Sequence, residues 1–326
     1  MTWRMSGKKL MQKNSAYSTL VFFDTQDMAL TGLELKNYLI HTPPSVPPPQ
    51  GEGKAGTGSH SSPLRGEDKG GGEILSEIES TITVELSGKV EHREGLYFLR
   101  GRAELIAERK HRYQISLLRF AKTKKYLRFL RHLPYVRAVA LSGSQALLNS
   151  ESGSDIDLFI ITKKNRIWLT RALVSAYFQL VGQRRYAERI AGRFCLNHYL
   201  ADDTEITDDR NLYTAVEYAS LLPVIGGDTL KRFWQKNQWI KGYLPNVRYE
   251  RAVPFFDFRF SVAGKILELI LDYTIAPVLN YLLGIYQKHR IRRQENILVS
   301  DNELSFHPGS HGQKVLVAYR EALTKQ

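Results

Sequence analysis

This chain has one cysteine, Cys195, among 326 residues. A single thiol excludes an intrachain disulfide and any zinc site built on several cysteines, and it fits a reducing compartment. Long apolar runs are missing too. The best candidate, "YTIAPVLNYLLGIYQ" from Tyr273 to Gln287, has 15 residues between Asp272 and Lys288 and contains Pro277. A bilayer-spanning helix needs about 20, so we expect a buried helix here and no transmembrane segment. The N-terminus, "MTWRMSGKKLMQKNS", is positively charged but lacks the apolar core of a secretory signal, and the expected location is cytoplasmic. Acidic residues are the scarcer charge: 33 Asp and Glu stand against 46 Lys and Arg, a net charge of +13. That balance favours polyanionic partners: nucleotides, nucleic acid or an anionic membrane surface.

Proline is sparse except in one place. Six of the 12 prolines and 8 of the 24 glycines fall between Thr42 and Gly72. Such a stretch buries too little apolar area to offset its ordering entropy, so residues 42–72 read as a disordered insert. Its flanks look structured. Before it come a helix through Phe22 and Phe23 and a second helix that Thr31 can cap. After it, "EILSEIESTITVELSGKV" predicts a third helix, and "KVEHREGLYFLRG" a hairpin turning at Glu94-Gly95. Three helices followed by a hairpin is the order of a winged helix, so residues 1–100 read as one winged-helix-like domain carrying the insert. DNA binding is one use of such a domain. A protein-docking or purely structural role is the other, because "EILSEIESTI" is acidic and suits phosphate poorly.

Residues 101–133 predict a basic connecting helix with Leu105, Ile106, Ile115, Leu118, Phe129 and Leu130 on its apolar side. From Arg100 through Arg137 there are 12 Lys and Arg against Glu104 and Glu108. Two readings stand: a solvated face, or a face for nucleic acid. After Pro134, "YVRAVALS" reads as a strand, "SQALLNS" as a short helix and "DIDLFIIT" as a second strand. "IWLTRALVSAYFQLVG" follows as an apolar helix, with Trp168 packing and Arg171 snorkelling, then "RFCLNHYLA" as a third strand. Residues 211–326 predict a mainly helical C-terminal domain, with "NLYTAVEYASLLPVI" as one helix and Asp228 as the N-cap of the next. The fold class is α+β.

The chemistry concentrates in "LSGSQALLNSESGSDIDLFII", Leu141 to Ile161. Side chains two apart on a strand share a face, so Asp155 and Asp157 project together. Two adjacent carboxylates repel, and a hard divalent cation such as Mg2+ (or Mn2+), held jointly with phosphates, relieves that. Gly143 and Ser144 end one strand and open a helix, where free backbone N–H groups favour an anion.

This stretch resembles the signature of the nucleotidyltransferase fold, the DNA polymerase β-like superfamily: apolar residue, Gly, Gly or Ser, spacer, then Asp-apolar-Asp-apolar. The wider layout, with "LVFFDTQDMAL", "GLYFLRGR" and "CLNHYL", is similar to uncharacterised bacterial nucleotidyltransferase-domain proteins with an N-terminal winged helix. The resemblance implies a small mixed-sheet nucleotidyltransferase domain over 134–210, between the winged helix and a helical C-terminal domain. It implies a nucleoside triphosphate partner, phosphates held at Gly143 and Ser144, and metal held by Asp155 and Asp157. Relatives place a third carboxylate on the next strand, where this chain has Asn197, which cannot accept a proton as a carboxylate does. Asp202 and Asp203, just beyond that strand, are possible substitutes, and alternation puts His198 opposite Asn197. The expected function is metal-dependent transfer of a nucleotidyl group to an unidentified hydroxyl. The alternative is a non-catalytic nucleotide sensor or nucleic-acid-binding regulator. Tyr213 and Tyr218 can stack a base, and a third idea is peripheral membrane attachment through Ile266 to Ile285 and "KHRIRR".

Overall fold

The computed structural model describes residues 15–41, 71–186, 188–249, 258–291, 297–306 and 310–325. The expected insert lies outside the described residues except for Gly71 and Gly72, which open a helix rather than continuing a disordered run.

The N-terminal unit runs α1 (15–24), β1 (Leu30–Thr31), α2 (Gly32–Asn37), α3 (Gly71–Glu85), β2 (Val90–Arg93) and β3 (Leu96–Leu99). The capping reading of Thr31 is realised as a reciprocal pair: the Glu34 amide donates to Thr31 Oγ1 and the Thr31 amide donates to Glu34 Oε2. Glu94 and Gly95 both take positive φ, 54° and 76°, which closes a two-residue hairpin between β2 and β3. The three strands form an antiparallel sheet in the order β1-β3-β2. Phe22, Phe23, Leu30, Leu35, Ile78 and Ile82 are buried together beneath it.

Next comes α4 (Glu104–Leu127), closed by a 3-10 turn at Arg128–His132. It departs from the reading of a solvated basic face. Arg109, Arg112 and Arg119 are buried, whereas Leu118 is 78% exposed and Phe129 45% exposed. The inward side is therefore mixed: a polar stripe lies over a loop full of carbonyls, while Leu105, Phe120 and Leu127 are buried in apolar clusters.

The main sheet is built from β4 (Val136–Leu141), β5 (Ile156–Thr162), β6 (Phe194–Ala201), β7 (Leu222–Ile225), β8 (Leu298–Val299) and β9 (Glu303–Ser305). Its order is β7-β4-β5-β6-β9-β8, with β5 and β6 parallel and the other neighbours antiparallel. Between the strands stand α5 (Gly143–Ala146), α6 (Ile167–Leu180), α7 (Leu212–Ser220), α8 (Gly227–Lys236), α9 (Ile240–Tyr243), α10 (Val262–Asp272) and α11 (Ala276–Ile291), and α12 (Ser310–Thr324) follows the last of them. The fold is α+β with mixed sheets. Two corrections follow for the C-terminal part. "NLYTAVEYASLLPVI" is a helix only to Ser220. Its tail becomes β7, because Pro223 offers no amide and Leu222, Val224 and Ile225 bury against β4. The N-cap of α8 is Gly226 at φ 72°, with Asp228 in the first turn. A Cβ at Gly226 would lie 2.1 Å from the Arg137 carbonyl oxygen.

One sheet face carries Ala138, Ala140, Phe159, Ile161 and Leu200 and packs with the N-terminal unit, α7 and α8. The other carries Val139, Leu141, Leu158, Ile160 and Tyr199 beneath α6 and Trp168. Trp168 packs as expected and donates to Asp301 Oδ1 at 2.7 Å. The helix expected to be buried at 273–287 is not. α11 lies outside α6 and buries one stripe, with Gly284 against the Trp168 ring, while Tyr281, Leu282, Ile285 and Tyr286 face outward. No single helix among the described residues is long and apolar enough to cross a membrane.

Candidate functional site

β4 delivers the chain to Gly143, which takes φ 59°, a region only glycine enters freely. A Cβ there would stand 2.9 Å from Asp157 Oδ2. The Gly143 backbone and the Asp157 carboxylate are thus packed directly together, which requires hydrogen at that position. The structure brings Ser144, Asp155, Asp157 and Asn197 into the same cleft, of about 680 Å³. Its far walls come from the α1–β1 turn, from Tyr213 and Glu217 of α7, and from His311 of α12.

The loop between Gly-Ser and Asp-x-Asp is held by the buried stripe of α4. Residues 109, 112, 116 and 119 recur at three- and four-residue spacing, so they share one helix face. Arg109 donates to the carbonyls of Leu147 at 3.2 Å and Leu148 at 2.6 Å. Arg119 donates to the carbonyls of Glu151, Ser152 and Ser154 at 2.8–3.0 Å, and to Ser154 Oγ at 2.8 Å. Ser116 accepts from the Ser150 amide at 3.0 Å. Arg112 pairs with Glu108 and Glu151. The basic run of the sequence is therefore in good part a scaffold for this loop.

Across from Asp157 in register lies Cys195, while Phe159 pairs with His198, so β6 bulges by one residue between them. The bulge overturns the expectation that His198 faces away. His198 shares the sheet face of Asp157 but is buried, bonded to Glu303 at 3.1 Å and packed on the Phe159 ring. Asp155, Asp157 and Cys195 place one ligand atom each within 4.8 Å of one another, and His198 is not in that group.

A chain of contacts links them. Cys195 Sγ donates to Asn197 Oδ1, and Asn197 Nδ2 donates to Asp157 Oδ1. Burial and the Asp157 and Asp155 charges push the Cys195 thiol up to about 12, so it stays protonated and able to donate. Arg185 reaches Asp155 Oδ2 at 2.8 Å and Cys195 Sγ at 3.4 Å. Asp155 Oδ2 is buried without an aligned hydrogen bond. Tyr213 stands on the wall, its hydroxyl kept neutral first by burial, then by Glu217 and Asp157.

The suggested substitutes for the third carboxylate do not reach the site. Asp202 pairs with Arg137 and Asp203 with Lys164 at the other end of the sheet, about 16 Å along the strand from Asn197. Tyr218 is in the core against Phe159 and Phe233, not in the cleft. Sequence reasoning missed Cys195 and Arg185. Cys195 was findable, two residues before Asn197 on one strand; nothing local marked Arg185. Asp155, Asp157 and Cys195 could together hold a metal ion, the two carboxylates offering hard oxygen ligands while the Asn197 oxygen is turned to the Cys195 thiol. The chain matches no protein-family model, no curated protein and no solved structure.

Proposed function

We propose that the chain is a metal-dependent nucleotidyltransferase that moves a nucleotidyl group from a nucleoside triphosphate to a hydroxyl. One observation carries the reading: the Gly143 turn packed against Asp157, with Asp155 and Ser144 in one cleft. On this reading residues 134–210 are the nucleotidyltransferase domain and residues 1–100 a winged helix, supported by the strand order β1-β3-β2 behind three helices. Residues 101–133 are the connecting helix, and residues 211–326 supply helices α7 and α12 to the cleft wall and strands β7, β8 and β9 to the edges of the main sheet.

The Gly143 and Ser144 amides and the Ser144 hydroxyl hold the polyphosphate. Asp155 and Asp157 would hold Mg2+ or Mn2+, which would supply charge neutralisation to the phosphoryl group. The acceptor oxygen forms a bond to the α-phosphorus, and the bond from that phosphorus to the bridging oxygen breaks. Pyrophosphate leaves with the electron pair. Asn197 cannot take the hydroxyl proton, which passes to water; its amide instead fixes the Asp157 carboxylate from the side.

The second reading is a nucleotide sensor or nucleic-acid-binding regulator. The Arg185–Asp155 ion pair favours it, because the guanidinium already neutralises that carboxylate. Incubating each α-labelled triphosphate with Mg2+ or Mn2+ and a cell extract separates the two. Label is expected in one of the nucleic-acid, protein or small-molecule fractions, and its yield should fall at least about a thousandfold in Asp155→Ala/Asp157→Ala. Bound nucleotide without transferred label would identify the sensor.

A further inference from the structure

Behind the start of β6 lies a second cavity, of about 640 Å³, lined by Arg171, Arg184, Arg185 and Arg290 with no aspartate or glutamate. Among the described residues only Arg185 of these four has a carboxylate partner, Asp155. Arg171 was expected to snorkel from α6 to solvent. Instead it lies in this cavity, bonded to Gln287 and stacked on the Phe306 ring at 4.6 Å. Its Nε is buried without a hydrogen-bond partner. Burial, then the Arg184 and Arg290 charges, lower the Arg171 guanidinium below its ordinary value, with only Tyr199 opposing. The buried Arg171 guanidinium, with Arg184 and Arg290 beside it and no carboxylate of its own, is a destabilising arrangement that a bound dianion relieves.

The cavity meets the acidic cleft at Arg185, Asn197 and Phe306. In the sheet, Gly143 follows β4, the two aspartates belong to β5, and Cys195 and Asn197 to β6. The Gly-Ser turn and the arginine cavity therefore flank the aspartates from opposite sides. In-line phosphoryl chemistry needs its leaving and attacking oxygens on opposite sides of the phosphorus. Resting on the transferase reading, we infer that the arginine cavity holds the phosphate of a phosphorylated acceptor, whose hydroxyl then lies at Asp155 and Asp157.

Calorimetric titration of inorganic phosphate into the full chain tests this. Binding is expected to weaken at least tenfold in Arg171→Gln/Arg184→Gln and severalfold in Arg290→Gln, a surface change that leaves folding intact. It should persist in Asp155→Asn/Asp157→Asn and in saturating α,β-methylene-ATP. Equal affinity in the wild type and every arginine variant would overturn the inference. Displacement of phosphate by the ATP analogue would also overturn it, assigning the cavity to the donor. Because the readout is binding, loss of the transferase reading shows separately, as phosphate bound with no label transferred.

A different observation carries a second inference. α10 and α11 meet at 86° and expose Val262, Ile266, Leu269, Ile270, Tyr273, Val278, Tyr281, Leu282 and Ile285. Their acidic residues turn inward, Glu268 to Arg137 and Asp272 to Lys163 and Arg166. The outward side from Val262 to Tyr286 thus carries Lys265 as its only charge, and the sequence leaves it through "KHRIRR". A monomer seldom exposes so large an apolar face without a partner. The one charge on that outward side, Lys265, is cationic and exposed, which disfavours a second copy presenting the same charge and suits acidic headgroups. The geometry points to docking on an anionic lipid surface. Flotation with vesicles of phosphatidylcholine and 30% phosphatidylglycerol should carry the wild type up, pure phosphatidylcholine much less. Ile266→Glu/Leu282→Glu should lose at least tenfold in the bound fraction. A chain that stays down with both vesicles would overturn it, and a dimer that these substitutions dissociate would name a second copy as the occupant instead.

Discussion

Replacing Arg119 with methionine is expected to destabilise the fold by at least about 2 kcal/mol, because each buried acceptor left unpaired costs about 1–3 kcal/mol. The side chain is 9% exposed and satisfies three backbone carbonyls and one hydroxyl of the loop from Glu151 to Ser154. Methionine fills much of the volume but donates nothing, so those acceptors lose their partners in a place water reaches poorly. Asp155 also loses a nearby positive charge. Lys124→Met, on the exposed side of the same helix, should stay within about 0.5 kcal/mol. Urea denaturation of both variants reads the difference. Equal, small effects would return the whole basic run to a solvated face and remove α4 from the support of the site.

The second large effect is at Gly143. Alanine there should cost about 1–2 kcal/mol in backbone strain alone, because φ is 59°. It also places a methyl group 2.9 Å from Asp157 Oδ2, so the carboxylate or the turn must move. We expect affinity for α,β-methylene-ATP with Mg2+ to fall at least about a hundredfold, or some 2.7 kcal/mol. Gly153→Ala, in open space within the same loop, should change neither affinity nor stability. If Gly143→Ala binds nucleotide like the wild type, the turn does not hold phosphate and the proposed reaction loses its donor site.

Both variants probe the stretch that the sequence marked most clearly. Leu141 to Ile161 is legible because its signals are local: an apolar run, a glycine at a forced turn, two carboxylates at strand spacing. Thr31 with Glu34, and Glu94 with Gly95, are legible for the same reason, since capping and tight turns are settled within four residues. The buried arginines of α4 illustrate the opposite case. Their three- and four-residue spacing was readable as a face, but whether that face met water or a loop depended on residues 32 or more positions away.

The same distance in sequence hid the rest of the site. The β6 bulge that seats Asn197 beside Asp157 and turns His198 toward Glu303 arises from pairing with β5 and β9, not from "FCLNHYL" itself. Arg185 meets Asp155 only because the segment after α6 returns along Phe194. Strands β7, β8 and β9 form where the chain docks on an existing sheet, and short segments of two to four residues carry no pattern to announce that. By itself, then, the sequence determined the local elements, the paired aspartates and the Gly-Ser turn, because backbone conformation and side-chain alternation are short-range. Tertiary structure alone decided which charges are buried, which partners the aspartates have and where the arginine cavity opens, because burial and pairing depend on long-range packing.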